Sequence, residues 1–168
     1  MLEPHQTEQL QENYKIIVKI WIALLVSVPL LVSVPLYVIV ALNVPEEAGG
    51  TIDVERLKIM TAVLLGMSPV YLGVAFIIKR IKLKIGKPLA MDASEVLKKA
   101  LVNYRAAIII CLAFSEAVAL LGLGLFFKGG SLSTSMVFMI MGAVAMVYFR
   151  PTYSEMETYA VAQLTLLE

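Results

Sequence analysis

Residues 106–127 read AAIIICLAFSEAVALLGLGLFF, and this stretch decides the fold class of the chain. At ~1.5 Å of rise per residue, a helix of this length crosses the ~30 Å hydrocarbon core of a bilayer. A backbone inside lipid must satisfy its own polar groups, so the stretch is predicted to be a transmembrane helix. Its only ionisable side chain is Glu116, which lies near the middle of the stretch and therefore near the bilayer centre.

The composition of the whole chain agrees with this prediction. Of its 168 residues, 60% are hydrophobic and only 16% are charged, and the mean hydropathy is +0.84. These values exclude an ordinary soluble domain and indicate a polytopic membrane protein. The net charge of +1 is not that of a polyanion-binding protein, so no nucleic acid is expected as a partner.

Three further segments are long and apolar enough to span, namely 20–42, 59–78 and 132–149. The sequence therefore predicts an all-α fold with a single integral membrane domain over residues 1–168. We expect a four-helix transmembrane bundle of two helical hairpins. Asn13-Tyr14-Lys15 precedes the first span, and Asn103-Tyr104-Arg105 precedes the third 90 residues later. This match leaves open both an internal duplication and a coincidence in apolar sequence.

The basic residues predict the orientation of the chain. Eight Lys and Arg residues lie in the connection between the second and third spans, whereas the first loop is mostly acidic and the last holds only Lys128. Since basic loops stay in the cytoplasm, both termini and the middle connection are predicted to be cytoplasmic, in the inner membrane of the cell. The connection begins with a basic run that could also hold anionic lipid head groups: Lys79, Arg80, Lys82 and Lys84.

Two helices are predicted to extend beyond the membrane on that side. Asp92 and Glu95 have the spacing of a capping box, with Asp92 as N-cap, and the helix that starts there can run unbroken into the third span. Met91 and Val96 could form a hydrophobic staple beside this cap. Pro4 suits the first turn of a similar helix that leads into the first span.

Glu116 has two interpretations. A buried carboxyl can exchange protons or bind a cation, or it can stay neutral and join two helices or two subunits by a hydrogen bond. The candidate partners at the same depth are Ser33, Ser68 and Tyr71, with Ser115 adjacent in sequence.

Small residues and prolines mark the packing faces of the spans. Cys111, Ser115, Ala119 and Gly122 form one face beside Glu116 that is suited to close helix packing, and Gly66 and Gly73 form another. The two Ser-Val-Pro repeats of the first span, Ser27-Val28-Pro29 and Ser33-Val34-Pro35, predict a kinked or loosened helix whose serines bond to freed carbonyls.

The stretch FSEAVALLGL, residues 114–123, resembles the acidic helix of the proteolipid (c-type) subunits of rotary ATPases. In that family a mid-membrane carboxyl binds the transported proton or sodium ion, which the resemblance would assign to Glu116. The first two spans do not have the glycine-rich pattern of that family. As a whole the chain is similar to small uncharacterised bacterial proteins with four spans, which share an element like 113–117 and an end like Arg150-Pro151-Thr152.

The sequence predicts a non-enzymatic integral membrane protein that acts by assembly, either as a homo-oligomer or within a larger membrane complex. The alternative is a proton- or cation-handling protein that uses Glu116. No nucleotide loop, His cluster or Ser/His/Asp set is present in the sequence, so no catalytic residue, metal or cofactor is expected.

Overall fold

The computed structural model describes residues 4–41, 54–84, 92–129 and 131–166, and these residues form five α-helices and no strand. The helices are α1 (Pro4–Ala41), α2 (Val54–Lys82), α3 (Ala93–Phe127), α4 (Leu132–Tyr148) and α5 (Tyr153–Leu164). The predicted all-α class is confirmed. The predicted four-helix bundle is not confirmed, because the described residues form five helices and the fifth follows the last predicted span.

The fifth helix starts where a proline interrupts the fourth. Pro151 has no N–H to donate and disfavours helical geometry in the residue before it, so α4 ends at Tyr148 and the chain restarts with Thr152 as N-cap of α5. The axes of α4 and α5 differ by 51°. The buried face of α5 has helical spacing and consists of Met156, Tyr159, Ala160 and Gln163.

Three helices are long and apolar enough to cross a membrane: α1, α2 and α3. The bent pair α4 and α5 passes the same test if it counts as one span, which makes up to four. The structure therefore agrees with a membrane protein that has three or four spans.

The third helix is the centre of the fold, because α3 packs against each of the other four helices. Across the described ranges, no Cα atom of α1 lies within 8 Å of a Cα atom of α2. The first predicted hairpin is thus not a packed pair. Instead α1 and α2 lie on different sides of α3, and the indole of Trp21 also ties α1 to α4 by donating to the carbonyl of Met146 at 3.0 Å.

The second hairpin is packed as predicted, and glycines bring its two helices together. A Cβ placed on Gly122 would lie 2.5 Å from the carbonyl oxygen of Ser135, and one on Gly142 would lie 2.7 Å from that of Ser115. Real Cβ atoms do not approach backbone so closely, so only glycine fits at these two positions. The predicted small-residue face of α3 is confirmed, because its four residues are buried.

The first turns of α1 and α3 and the whole of α5 share a core. Leu10 and Ile17 of α1 pack in one cluster with Leu97 and Leu101 of α3 and Met156 of α5. The predicted continuous helix from the capping region into the third span is confirmed, and Pro4 is the first described residue of α1.

Asp92 is the N-cap residue of α3, as predicted, but its side chain makes no capping hydrogen bond. The backbone oxygen of Asp92 accepts the first hydrogen bond of the helix, from the N–H of Val96 at 3.0 Å. The other half of the predicted hydrophobic staple, Met91, lies outside the described residues.

The prolines of the first span do not interrupt its helix. α1 continues through Pro29 and Pro35. The two preceding serines bond back to their own helix, where Ser27 donates to the carbonyl of Leu24 at 2.6 Å and Ser33 to that of Leu30 at 2.7 Å. The prediction that they bond to the freed carbonyls is wrong, because Pro29 and Pro35 free the carbonyls of Leu25 and Leu31, one residue further along the helix.

Candidate functional site

The carboxyl of Glu116 lies between α3 and α1 and is partly buried. The hydroxyl of Ser27 is its one hydrogen-bond partner among the described residues, with Oγ 3.1 Å from Oε1 of Glu116. The same Oγ lies 2.6 Å from the carbonyl oxygen of Leu24. Three oxygen atoms therefore meet where the first span packs against the middle of the third.

These two short contacts bear on whether the carboxyl of Glu116 carries a proton. A serine hydroxyl has one proton to donate, and a backbone carbonyl has none. If the Ser27 proton lies on the shorter contact to Leu24, the contact with Glu116 is a full hydrogen bond only when Glu116 supplies the second proton. An ionised Glu116 would have to compete with Leu24 for the single proton of Ser27.

Among the residues that the structure describes, no helix packs against one face of α3 next to Glu116. With 3.6 residues per turn, this face lies between Glu116, which contacts α1, and Phe114, whose ring lies 6.2 Å from that of Tyr71 in α2. Its four residues are exposed and mostly small, and we call them the open face: Ala113, Ala117, Leu120 and Gly124. A Cβ added at Gly124 would meet nothing within 4 Å.

The four predicted partners of Glu116 lie elsewhere. Ser33 is exposed, and among the described residues it bonds only to Leu30. Ser68 is buried and donates to the carbonyl of Leu64 at 2.8 Å, while Tyr71 packs on Phe114. Ser115 is buried on the α4 side of α3 and donates to the carbonyl of Cys111 at 2.9 Å.

A second polar cluster joins α2, α3 and α5 where α4 ends. The ammonium of Lys79 lies 2.7 Å from Oε1 and 3.0 Å from Oε2 of Glu155. The hydroxyl of Tyr104 donates at 3.2 Å to Oε2 of Glu155 or to the carbonyl of Thr152, and it accepts the N–H of Thr152 at 3.3 Å. The break between α4 and α5 is thereby fixed to α3 through the side chain of Tyr104.

Burial makes Tyr104 a permanent hydrogen-bond donor. Its side chain is fully buried, and desolvation raises the pKa of the phenol well above its usual range. The negative charge of Glu155 raises this pKa further. The phenol therefore keeps its proton at a pH at which an exposed tyrosine would lose it.

The four residues of the predicted lipid head-group run separate in the structure. Lys79 is half-buried in the ion pair with Glu155, whereas Arg80, Lys82 and Lys84 are exposed. The backbone carbonyl of Lys82 accepts a hydrogen bond from the hydroxyl of Tyr159 at 3.3 Å, which ties the end of α2 to α5.

Sequence reasoning chose Ser33 and not Ser27 as the partner of Glu116 in α1, and it did not single out Glu155. The possible internal duplication offered a signal for Ser27. Its 90-residue offset aligns Glu116 with Val26, which is adjacent to Ser27 in the sequence. Glu155 could have been found only from the helical spacing of the C-terminal segment.

Comparison with models of protein families, with curated proteins and with solved structures gives no match to this chain. In the part of the chain that the structure describes, no three His, Cys, Asp or Glu side chains lie together in a way that could hold a metal ion. The interpretation of the site therefore depends on its own geometry.

Proposed function

We propose that the chain is a non-enzymatic integral membrane protein that acts by assembling with other transmembrane helices, either those of its own copies or those of a larger membrane complex. In this proposal α1, α2, α3 and α4 are the four spans of an inner-membrane protein. Both termini, α5 and the first turns of α1 and α3 lie in the cytoplasm. The basic residues at the end of α2 support this orientation.

The observation that carries the proposal is a half-satisfied carboxyl beside an open helix face. Glu116 bonds only to Ser27 among the described residues, and the open face next to it is exposed. A polar group at mid-membrane depth is costly until it faces protein. A helix seated on the open face would cover the carboxyl and could bond to its second oxygen, while Ala117 and Gly124 would let the two backbones approach closely.

The strength of a hydrogen bond to Glu116 determines how much of the free energy of assembly depends on this acid. Interhelical hydrogen bonds in membranes contribute about 0.6 kcal/mol on average and about 1–2 kcal/mol in model peptides. Close packing of small residues over the length of the open face would therefore contribute most of the interaction. A glutamine at position 116 should support assembly nearly as well as the native acid.

One observation favours the alternative of proton or cation handling. Oε1 of Glu116, Oγ of Ser27 and the carbonyl oxygen of Leu24 form a group of oxygen ligands of the type that hard cations prefer. This function requires the carboxyl to change its charge, which glutamine cannot do. The response to Glu116→Gln therefore separates the two functions.

The proposal is tested by measuring the mass of the protein in particles cut directly from the membrane with a styrene–maleic acid polymer. Wild-type particles are expected to hold more than one 18.4 kDa chain, or one chain with a partner protein. Ala117→Phe, which fills the open face, is expected to release single chains.

The matched control is Ala62→Phe at an exposed alanine of α2, which is expected to leave the assembly intact. Wild-type particles that contain only one chain and no partner would contradict the proposal. An equal effect of the two phenylalanines would contradict the choice of the open face.

A further inference from the structure

An apolar groove lies between α2 and α4. Both helices pack on α3, but they diverge from each other and leave a cavity of about 590 Å³. Nearly all of its walls are apolar side chains, chiefly Leu72 and Phe76 of α2 and Met141, Val144 and Tyr148 of α4. From Met141 to Phe149 the groove extends ~12 Å along α4, which is close to the ~15 Å half-thickness of a hydrocarbon core.

The groove opens at one end into a polar pocket of about 390 Å³. Three aromatic residues line both cavities, namely Phe76, Tyr148 and Phe149, so the two are continuous. The polar pocket adds four residues from the end of α2 and the break between α4 and α5: Lys79, Arg150, Thr152 and Glu155. The combined cavity is apolar along its length and charged at one end.

The charged end has one unmatched positive charge. Lys79 is neutralised by its ion pair with Glu155. Arg150 is exposed, and its guanidinium has no ion pair or hydrogen bond to any described residue. Two cations and one carboxylate leave one net positive charge, which a phosphodiester with a single negative charge would match. A guanidinium can bind phosphate oxygens in a bidentate manner.

We propose that this cavity binds one anionic glycerophospholipid. Its phosphate bonds to Arg150, with Lys79 behind it, and an acyl chain lies in the groove between α2 and α4. Tyr148 stands at the junction, where the amphipathic ring of a tyrosine suits the border between head groups and acyl chains. This inference shares the membrane placement of α2 and α4 with the proposed function and does not depend on assembly.

The test is native mass spectrometry of the full-length protein, titrated in detergent with phosphatidylglycerol. Loss of a charge-assisted contact to phosphate should weaken binding of the first lipid by about tenfold in Arg150→Gln. Arg80→Gln is the matched control, because Arg80 is exposed on the same side and does not line the pocket. It should bind like the wild type.

A second pair of variants tests the groove. Val144→Trp should fill it and weaken binding, whereas Val147→Trp, on a face of α4 outside the groove, should not. Equal effects within either pair would overturn the proposed site in favour of a diffuse layer of lipid.

The unaltered protein supplies a third measurement that does not depend on the folding of any variant. Wild-type protein should prefer phosphatidylglycerol to phosphatidylcholine, and an excess of inorganic phosphate should leave the lipid bound, because the acyl chain also contributes. Equal binding of the two lipids would overturn the assignment of an anionic head group. Complete displacement by phosphate would overturn the assignment of a lipid.

Discussion

The hydroxyl of Ser27 joins the first and third helices, with its oxygen 3.1 Å from Oε1 of Glu116 and 2.6 Å from the carbonyl oxygen of Leu24. The one carboxyl in the middle of the third span is therefore not isolated. Its contact lies on the helix that carries two prolines, and the chain contains a matched serine in the second Ser-Val-Pro repeat. These two serines allow the contact to be tested directly.

We predict that Ser27→Ala destabilises the packing of α1 on α3, whereas Ser33→Ala does not. Ser27 bonds across helices, and an interhelical hydrogen bond in a membrane contributes about 0.6 kcal/mol and at most about 1.7 kcal/mol. Ser33 is exposed and bonds only within α1. The measurement is reversible unfolding in mixed micelles. Equal stability of the two variants would show that the contact with Glu116 contributes nothing.

Gly142→Ala should weaken the hairpin of α3 and α4. The added Cβ would lie 2.7 Å from the backbone oxygen of Ser115 and 2.8 Å from Cβ of Ala119, and neither atom belongs to a flexible side chain. Overpacking of this kind typically costs about 1–3 kcal/mol. At Gly73 a Cβ meets nothing within 4 Å, so Gly73→Ala should be neutral or stabilise α2 by up to about 1 kcal/mol. Thermal unfolding of both variants checks the prediction, and a Gly142→Ala protein as stable as Gly73→Ala would refute it.

Tyr104 should make the fold sensitive to alkaline pH. Desolvation, and then the charge of Glu155, raise its pKa in the folded protein above the value of ~10 that an unfolded tyrosine has. The unfolded chain therefore loses this proton first, and its contribution to the free energy of unfolding falls as pH rises above ~10, by up to ~1.4 kcal/mol per pH unit.

Tyr104→Phe should remove that part of the slope and also cost about 1–2 kcal/mol near neutral pH, since the bonds to Thr152 and Glu155 are lost. Denaturant unfolding between pH 8 and pH 11 measures both. A slope that Tyr104→Phe leaves unchanged would refute the assignment.

The proposed orientation predicts which introduced cysteines react from each side of the membrane. Ser94 and Ser133 are both exposed and lie near opposite ends of α3 and α4. In a Cys111→Ser background, Ser133→Cys should react with a membrane-impermeant maleimide on intact cells. Ser94→Cys should react only after the cells are opened. The reverse pattern would invert the topology.

The sequence predicts the third helix well and the relations between helices poorly. Three features of α3 were predicted correctly: the N-cap at Asp92, the unbroken helix and the small-residue face. Each depends only on residue spacing within one segment of the chain. The partner of Glu116 depends instead on the position of α1 along the axis of α3. Residue spacing within either span does not determine that position. α5 was not predicted, because the polar residues of its N-terminal half obscure the helical pattern of its buried face. That face is buried by packing against α1 and α3.

The basic residues also show that the sequence predicts local features better than contacts between helices. The run that begins at Lys79 has the composition of a topology signal, and its members look alike in sequence. In the structure Lys79 pairs with a carboxylate 76 residues away, whereas Arg80, Lys82 and Lys84 of the same run are exposed. Tertiary contacts therefore give different surroundings to basic residues that look equivalent in the sequence.

The proposed function depends most on Glu116 acting as a neutral hydrogen-bonding group and not as an ion site. The direct measurement is infrared difference spectroscopy of the protein in lipid at neutral pH, with wild type compared against Glu116→Gln. We predict a protonated carbonyl band of Glu116 that is absent from the variant, together with normal assembly of the variant. A carboxylate band assigned to Glu116 would contradict the proposed function and favour proton or cation handling.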